Sequence, residues 1–148
     1  MVKGRNDRQE AVKSIVRETP VRTQRDLVLA LRERGYSCTQ ATISRDIADM
    51  GLRKLPEGMY VLAEDLHLQR MVSEFVSDAE AVTSLVVVKT QPGTAPGVAA
   101  AIDAAELPGV LGSIAGNDTV LVICRTNEGA QATSALLGKL MRMHQEEL

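Results

Sequence analysis

The sequence predicts an α+β fold class with two small domains of different architecture. In residues 1–64, three segments with helical apolar spacing precede two short strand-like segments around a turn. In residues 81–148, three apolar strand-like runs and two helical segments follow. Charge divides the chain in the same way: residues 1–64 hold 12 Lys and Arg against 9 Asp and Glu, whereas residues 65–148 hold 5 against 10. A basic first half and an acidic second half indicate two different tasks.

Composition excludes several classes of protein. Aromatic residues make up 2% of the 148 residues, with no Trp, so we expect aliphatic cores. The only cysteines, Cys38 and Cys124, are too few for a cysteine-based metal site and are expected to be reduced thiols. The charged first ten residues are unlike a signal peptide, and no apolar run reaches the roughly 18 residues of a membrane helix. We therefore expect a cytoplasmic protein without a membrane partner.

The first two predicted helices have clear boundaries. The first covers Arg8–Glu18, with one apolar face, and Pro20 ends it. The second opens at Thr23, where Asp26 follows three residues later as in a capping pair. Gly35 stands just beyond its end, where a left-handed residue is favoured.

A third helix and a hairpin complete the first domain, residues 1–64. The helix begins at the cap residue Thr39 and stops at Gly51. Leu52–Leu62 then predicts two short strands around a type I turn at Pro56-Glu57-Gly58. Three helices followed by a hairpin is the element order of a winged helix-turn-helix. The apolar stripe of the third helix consists of Ile43, Ile47 and Met50.

A linker with a short helix is predicted at residues 65–80, and a second α+β domain at 81–148. Its elements are a strand at Ser84–Val88, a helix at Ala95–Glu106, a strand at Val110–Ile114, a turn at Gly116-Asn117-Asp118, a strand at Thr119–Arg125, and a helix from Glu128 to about Met143 capped by Asn127. The inner face of the last helix is expected to carry Leu136, Leu137, Leu140 and His144.

The exposed face of the third helix has the chemistry of a DNA reader. Opposite the apolar stripe lie Gln40, Ala41, Ser44 and Arg45. Gln and Arg offer the bidentate groups that base edges require, and Ala allows close approach in the major groove. Nearby cations that could contact phosphates are Arg22, Arg25, Arg53 and Lys54. The alternatives are a solvated polar face and ordinary surface charges.

Four separated segments resemble the bacterial arginine repressor family. Residues 39–47, with the sequence TQATISRDI, are similar to its recognition-helix signature. Residues 90–95, 101–103 and 111–119 are similar to its effector domain, in the same order and with the same spacing. The resemblance implies contacts with DNA through Ser44 and Arg45. With the pattern of the helix and wing, the expected DNA-binding residues are Gln40, Thr42, Ser44, Arg45, Arg53, Lys54 and Arg25.

The resemblance also implies a ligand and an assembly. The second domain would be a small α/β oligomerisation and effector-binding domain, forming a homo-hexamer as a dimer of trimers. L-arginine would be the corepressor, bound between the trimers, with no other cofactor. The expected operators are AT-rich imperfect palindromes at genes of arginine biosynthesis or catabolism. The implied ligand residues are Asp118, Asn117, Asp103, Ser113 and Ala115.

Asn117 departs from the family pattern, which usually has Asp at this position. Asn keeps one acceptor oxygen but lacks the charge that strengthens a bond to a guanidinium. From the residues alone, a plain hairpin turn and a surface acid at Asp103 remain an alternative. A regulator of the same fold with altered or lost ligand specificity is a second alternative.

A small enzyme that uses Asp103 and Asp118 as an acid–base pair is a third alternative. The sequence shows no nucleophile–His arrangement, metal cluster or phosphate loop to accompany these acids. The two histidines, His67 and His144, fall in predicted helices and are expected to be surface or interface residues. We therefore expect a binding protein.

Overall fold

The computed structural model describes residues 4–146, with side chains described as far as residue 142. It divides into two compact units, residues 1–63 and 64–148. Both cysteines are free thiols, Cys38 half-buried and Cys124 buried. Within residues 4–146, every helix falls short of the length or apolarity that crossing a membrane demands.

The first unit has the predicted winged helix-turn-helix order. Its elements are α1 (Arg5–Glu18), α2 (Gln24–Glu33), α3 (Gln40–Met50), β1 (Leu52–Lys54) and β2 (Tyr60–Leu62). The two strands pair antiparallel, and the amide of Gly58 donates to the Leu55 carbonyl at 2.8 Å to close the turn between them. The predicted hairpin is therefore confirmed.

Local capping explains where α2 and α3 begin and where α3 ends. The Thr23 hydroxyl accepts the Asp26 amide at 3.0 Å, and the Asp26 carboxylate accepts the Thr23 amide in return. Thr39 caps α3 by accepting the Thr42 amide at 3.3 Å. Gly51 ends α3 with a φ of 68°, a left-handed conformation that glycine adopts without a steric penalty. These features match the predictions from sequence.

The core of the first unit is small and entirely aliphatic. Ile43, on the predicted stripe of α3, is fully buried, and Ile47 and Met50 pack at the margin of the core. Tyr36 and Tyr60, the only tyrosines of the chain, also pack there. The buried members are Val12, Ile15, Val16, Val21, Leu27, Leu31, Ile43, Leu52 and Leu62.

One charged side chain of α3 is buried among these apolar residues. Asp46 is 1% exposed, and its carboxylate accepts two hydrogen bonds from the Arg8 guanidinium of α1, at 2.6 and 2.9 Å. The Gln9 amide donates a third, at 3.2 Å. The hydrogen bonds from Arg8, above all, hold the pKa of Asp46 below its usual range, and burial opposes them. The pair joins the first helix to the third.

The second unit is a four-stranded antiparallel sheet packed against helices. Its strand order is β3-β4-β6-β5, with α5 inserted between β4 and β5 in the chain. The elements are α4 (Ala63–Phe75), β3 (Val76–Val82), β4 (Leu85–Thr90), α5 (Ala95–Ala105), β5 (Val110–Ala115), β6 (Thr119–Cys124) and α6 (Asn127–Glu146).

The helix predicted within residues 65–80 is present, but the prediction that these residues form a linker is wrong. The 13-residue helix α4 buries Leu68 and Val72 in the core of the second unit. The seven-residue strand β3 follows at once and forms an edge of the sheet. Asp78 and Glu80 are exposed on β3, so its sequence lacks the apolar, β-branched run that marks a buried strand. An edge strand tolerates such residues, and its charges discourage pairing with other chains.

The predicted cap of the last helix is also wrong, by one residue. The Thr126 hydroxyl, rather than the Asn127 side chain, accepts the amide of Gly129 at 2.9 Å. On the predicted inner face, Leu137 is buried and Leu136 and Leu140 pack against the core. The side chain of His144 lies outside the described residues.

The two faces of the sheet differ in how well they are covered. Val86, Val88, Val120 and Val122 are fully buried on the face that packs with the helices. On the opposite face, several cross-strand neighbours are apolar but only partly covered, and Val82 and Ile114 are 50% and 64% exposed. This second set, called here the uncovered sheet face, consists of Val82, Leu85, Val87, Ile114, Leu121 and Ile123. Polar residues border them, with Glu80 opposite Val87 and Lys89 opposite Thr119.

Asp46→Asn should destabilise the first unit by about 1.5–3 kcal/mol, because the buried side chain loses its charge-assisted hydrogen bonds from the partly exposed Arg8. The pKa of Asp46 is lower in the folded than in the unfolded chain, so its contribution is complete above about pH 5 and disappears as pH falls below about 4. The difference in the free energy of unfolding between wild type and variant should therefore become smaller as the pH is lowered. Urea unfolding followed by tyrosine fluorescence measures it, because both tyrosines report on the first unit.

The matched control is Asp49→Asn, on the same helix. Asp49 pairs with Arg5 in an exposed ion pair, whose removal should cost less than about 1 kcal/mol at any pH. Equal effects of the two substitutions would contradict a special role for the buried pair.

Candidate functional site: a DNA-reading helix and a ligand site

The outward face of α3 presents the predicted reading residues to solvent. Gln40, Ala41, Ser44 and Arg45 are all exposed, whereas Ile43 is buried beneath them. The Thr39 cap leaves this N-terminal turn of the helix well ordered. Because recognition helices touch base edges with their N-terminal residues, this placement fits the predicted role.

Two of the predicted reading residues have partners within the unit. The Thr42 hydroxyl lies 3.1 Å from that of Thr39, and Thr42 is half-buried, so it belongs to the cap more than to the open face. The Gln40 amide donates to the Gln24 side chain of α2 at 3.4 Å. Within residues 4–146, the exposed side chains of Ser44 and Arg45 have no such partner.

The wing places two cations at its exposed edge. Arg53 and Lys54 are both exposed on β1, and the Lys54 ammonium lies 5.5 Å from the centre of the Tyr60 ring. Arg22 donates to the Glu57 carbonyl at 3.0 Å, which ties the start of α2 to the turn of the wing. Arg25 is exposed on α2. These cations suit contacts with phosphates, which need charge more than exact geometry.

Two of the predicted ligand residues meet at the end of α5. The Ser113 hydroxyl on β5 donates to the Asp103 carboxylate at 3.0 Å. They line a cavity of about 460 Å³ between α5 and β5, a size suited to a small molecule. Glu106, which the sequence analysis did not single out, lines it as well. The apolar side chains of the wall are Ile102, Leu107, Val110 and Leu111.

The Gly116-Asn117-Asp118 turn is held by its backbone. The Asn117 carbonyl accepts the amides of Gly93 and Ala95, at 3.0 and 3.4 Å, and the Asp118 carbonyl accepts the amide of Thr90 at 2.8 Å. The side chains of Asn117 and Asp118 are exposed. The turn thus offers one carboxylate and one amide to solvent without using them to hold its shape.

A short polar chain surrounds the Asp118 carboxylate. It accepts the Thr119 hydroxyl at 3.0 Å, and Lys89 donates to that hydroxyl at 3.0 Å. Ala115 is exposed at the end of β5, close to the turn in the chain. These groups fix the orientation of one carboxylate oxygen.

The structure separates the two groups of ligand residues within one chain. The turn contacts the start of α5 at Ala95, whereas Asp103 lies eight residues later, about 12 Å along the helix. Among the residues that the structure describes, no hydrogen bond or ion pair joins Asp103 or Ser113 to Asn117 or Asp118. Within one copy of the chain, the predicted ligand residues therefore form two separate groups.

Sequence reasoning missed Asp46, although the pattern contains a signal for it. Asp46 occupies the place three residues after Ile43 in the apolar stripe, where the spacing calls for a buried residue. A carboxylate at such a place requires a buried partner. The partner is Arg8, 38 positions earlier in the chain, and helical spacing does not identify it.

Comparisons with known proteins agree with both halves of the fold. Residues 3–68 match the family model of the arginine repressor DNA-binding domain, and residues 72–139 match that of the arginine repressor C-terminal domain. The arginine repressor of Carboxydothermus hydrogenoformans is 41% identical, over 82% of this chain and 88% of the relative. That of Thermus thermophilus is 42% identical, over 85% and 84%. That of Anaeromyxobacter sp. is 44% identical, over 78% and 75%.

Asn117→Ala and Asp118→Ala should each change the free energy of unfolding by no more than about 0.5 kcal/mol. The carbonyl groups hold the turn, and neither residue has a positive φ that alanine would resist. Ile102→Ala serves as the contrast, because it empties a fully buried position and should cost about 2–5 kcal/mol. Calorimetric unfolding of the three variants gives the comparison. A turn variant as unstable as the core variant would show that these side chains are structural.

Proposed function

The chain belongs to the arginine repressor family of DNA-binding transcriptional regulators, and we propose that it is an arginine-responsive repressor of arginine biosynthesis or catabolism genes. Membership of this family makes the chain a transcription regulator and not an enzyme. The observation that carries the proposal is the exposed Ser44–Arg45 face on a capped, wing-flanked helix. Its proposed place of action is the cytoplasm, where operator DNA is accessible.

DNA reading is assigned to α3. Arg45 would offer paired donors to a guanine edge, while Gln40 and Ser44 would contact neighbouring bases. Arg53 and Lys54 of the wing, with Arg25 of α2, would bind phosphates and set the register. Thr42 would support this face through the cap. The proposed operators are AT-rich imperfect palindromes, read by several copies of the unit at once.

L-arginine is the proposed corepressor, and the two separate groups of ligand residues, each a half-site, favour a location between subunits. The Asp118 carboxylate of one subunit would pair with the ligand guanidinium, supported by the Asn117 amide and the nearby Ala115. Asp103 and Ser113 of another subunit would contact the rest of the ligand at the 460 Å³ cavity. A ligand with donors at both ends could bridge two such half-sites, whereas one chain alone holds only part of the set.

Oligomerisation through the second unit completes the proposal, as a hexamer made of two trimers. The uncovered sheet face supports association, because a contiguous apolar surface gains free energy when another protein surface covers it. Arginine bound between subunits would stabilise the assembly by its preference for the associated state. Several winged helices joined in one assembly would then bind adjacent half-operators with a raised effective concentration.

Asn117 favours a second candidate, a regulator of the same fold with altered or lost ligand specificity. Replacing a charge-assisted bond of about 1.5–3 kcal/mol by a neutral one of about 1 kcal/mol weakens arginine binding roughly ten-fold. Lys89 also places a positive charge near the Asp118 carboxylate, because it donates to the Thr119 hydroxyl, which in turn donates to Asp118. Both features point to a lower arginine affinity than the usual pair of acids would give.

Arg45→Ala should reduce operator affinity at least ten-fold while leaving the assembly intact, because the lost contact lies on α3 and each base contact contributes about 1–3 kcal/mol. Fluorescence anisotropy with a duplex selected by the wild-type protein from a random pool measures the affinity. The matched control is Arg70→Ala, an exposed arginine of the second unit. Wild-type affinity in Arg45→Ala would exclude α3 as the reading element.

Asp118→Asn should abolish the response to L-arginine, because it removes the remaining formal charge of the turn. Sedimentation with and without arginine tests this, with citrulline, ornithine and lysine as ligand controls. Wild type should shift from smaller species to hexamer with arginine alone, and the variant should not shift. An unchanged response in the variant would exclude the turn as the guanidinium site. A wild type that ignores arginine would favour the second candidate.

A further inference from the structure

We propose that the buried Arg8–Asp46 pair is a positioning device for DNA reading: it sets the rotation of α3 about its own axis and thereby aims Ser44 and Arg45. The inference rests on the proposed reading role of α3. Neither Arg8 nor Asp46 faces the predicted DNA surface, so their effect would pass through the orientation of the helix.

Position along the helix links the buried pair to the reading residues. Asp46 directly follows Arg45, and successive residues of an α-helix differ by a fixed rotation of about 100°. The direction of the Asp46 side chain toward α1 therefore determines the direction in which Arg45 leaves the helix. Ser44 is fixed in the same way, two residues earlier.

The contact is more directional than the apolar packing that surrounds it. Ile43 anchors α3 to the core by apolar burial, which tolerates small rotations. The Arg8 guanidinium meets the Asp46 carboxylate through two parallel hydrogen bonds, at 2.6 and 2.9 Å, and this fork fixes both distance and plane. Gln9 adds a third bond to the same carboxylate. Rotation of α3 would break all three.

The burial of these groups separates a positioning role from a purely stabilising one. An apolar pair of similar volume in place of a buried ion pair is often equally stable or more stable. A charged pair in this core is thus a poor means of adding stability, whereas base readout requires side chains held within about 0.5 Å of their working geometry. The exposed Arg5–Asp49 pair joins the same two helices and provides a natural comparison.

The test replaces the buried pair by an apolar one, Arg8→Met with Asp46→Leu. Anisotropy at fixed salt gives the affinity for the selected duplex and for a duplex of the same composition in shuffled order. The ratio of the two affinities should fall by about ten-fold or more, as expected when a bidentate base contact is misplaced. Affinity for the shuffled duplex should stay within about three-fold, because non-specific binding depends on surface charge. A role in stability alone would leave the ratio unchanged.

Two further variants make the result decisive. Arg8→Lys keeps the positive charge but loses the two-bond contact with Asp46, so it should lower the affinity ratio several-fold. Tyrosine fluorescence shows whether the double variant folds; if it does not, Arg8→Lys still tests the proposal. Arg5→Met with Asp49→Leu removes the same charges at the exposed pair and should preserve the ratio. The proposal would be overturned if the affinity ratio were unchanged in Arg8→Lys or in a folded buried-pair variant. It would also be overturned if the ratio fell equally in the Arg5→Met, Asp49→Leu control.

The outcomes also separate this inference from the proposed function. If Arg45→Ala loses the selected duplex while the buried-pair variant keeps the wild-type ratio, only the positioning role is overturned. If the wild-type protein selects no sequence from the pool, both are overturned.

Discussion

The pairing of Arg8 with Asp46 is the contact on which the geometry of the first unit depends. Among the described residues, its apolar core has nine buried members, all aliphatic, so packing alone leaves the helices weakly defined in rotation. The ion pair supplies a directional contact between the first and third helices. Ser44 and Arg45 point outward while Asp46 points inward. Under the proposed function, the stability of the unit and the reading of DNA would both depend on this carboxylate.

The second unit depends on a different constraint, an antiparallel sheet that is apolar on both faces. Helices cover one face, and the other keeps side chains such as Ile114 exposed. Its polar groups are likewise divided, with Asp103 and Ser113 at one end of α5 and Asn117 and Asp118 at the other. A single copy therefore leaves one sheet face partly exposed and holds these polar groups in two separate places. Under the proposed function, association supplies what one chain lacks, and the ligand gains affinity from the same event.

Most of the fold could be predicted from sequence because local signals determine it. Thr23 and Thr39 cap helices through neighbouring amides, and Gly51 ends a helix by its own conformational freedom. Strand β3 was not predicted, because its sequence is polar and contains alanine. It forms a strand by pairing with β4. The partner of Asp46 and the separation of Asp103 from Asp118 depend on contacts between distant segments. The exposure of Gln40, Ser44 and Arg45 could be predicted from sequence, since one helix carries all three.

In the turn at Asn117, the backbone and the side chain have different roles. Its carbonyl joins β5 and β6 to the loop before α5, while its amide group points to solvent and takes no part in that connection. Any residue that accepts the same φ and ψ can therefore occupy the position at little cost to folding. Under the proposed function, a substitution at this position could alter the metabolite to which the regulator responds, while the scaffold and the DNA-binding unit remain unchanged. The asparagine at position 117, where the resemblance implies an acid, would be a substitution of this kind.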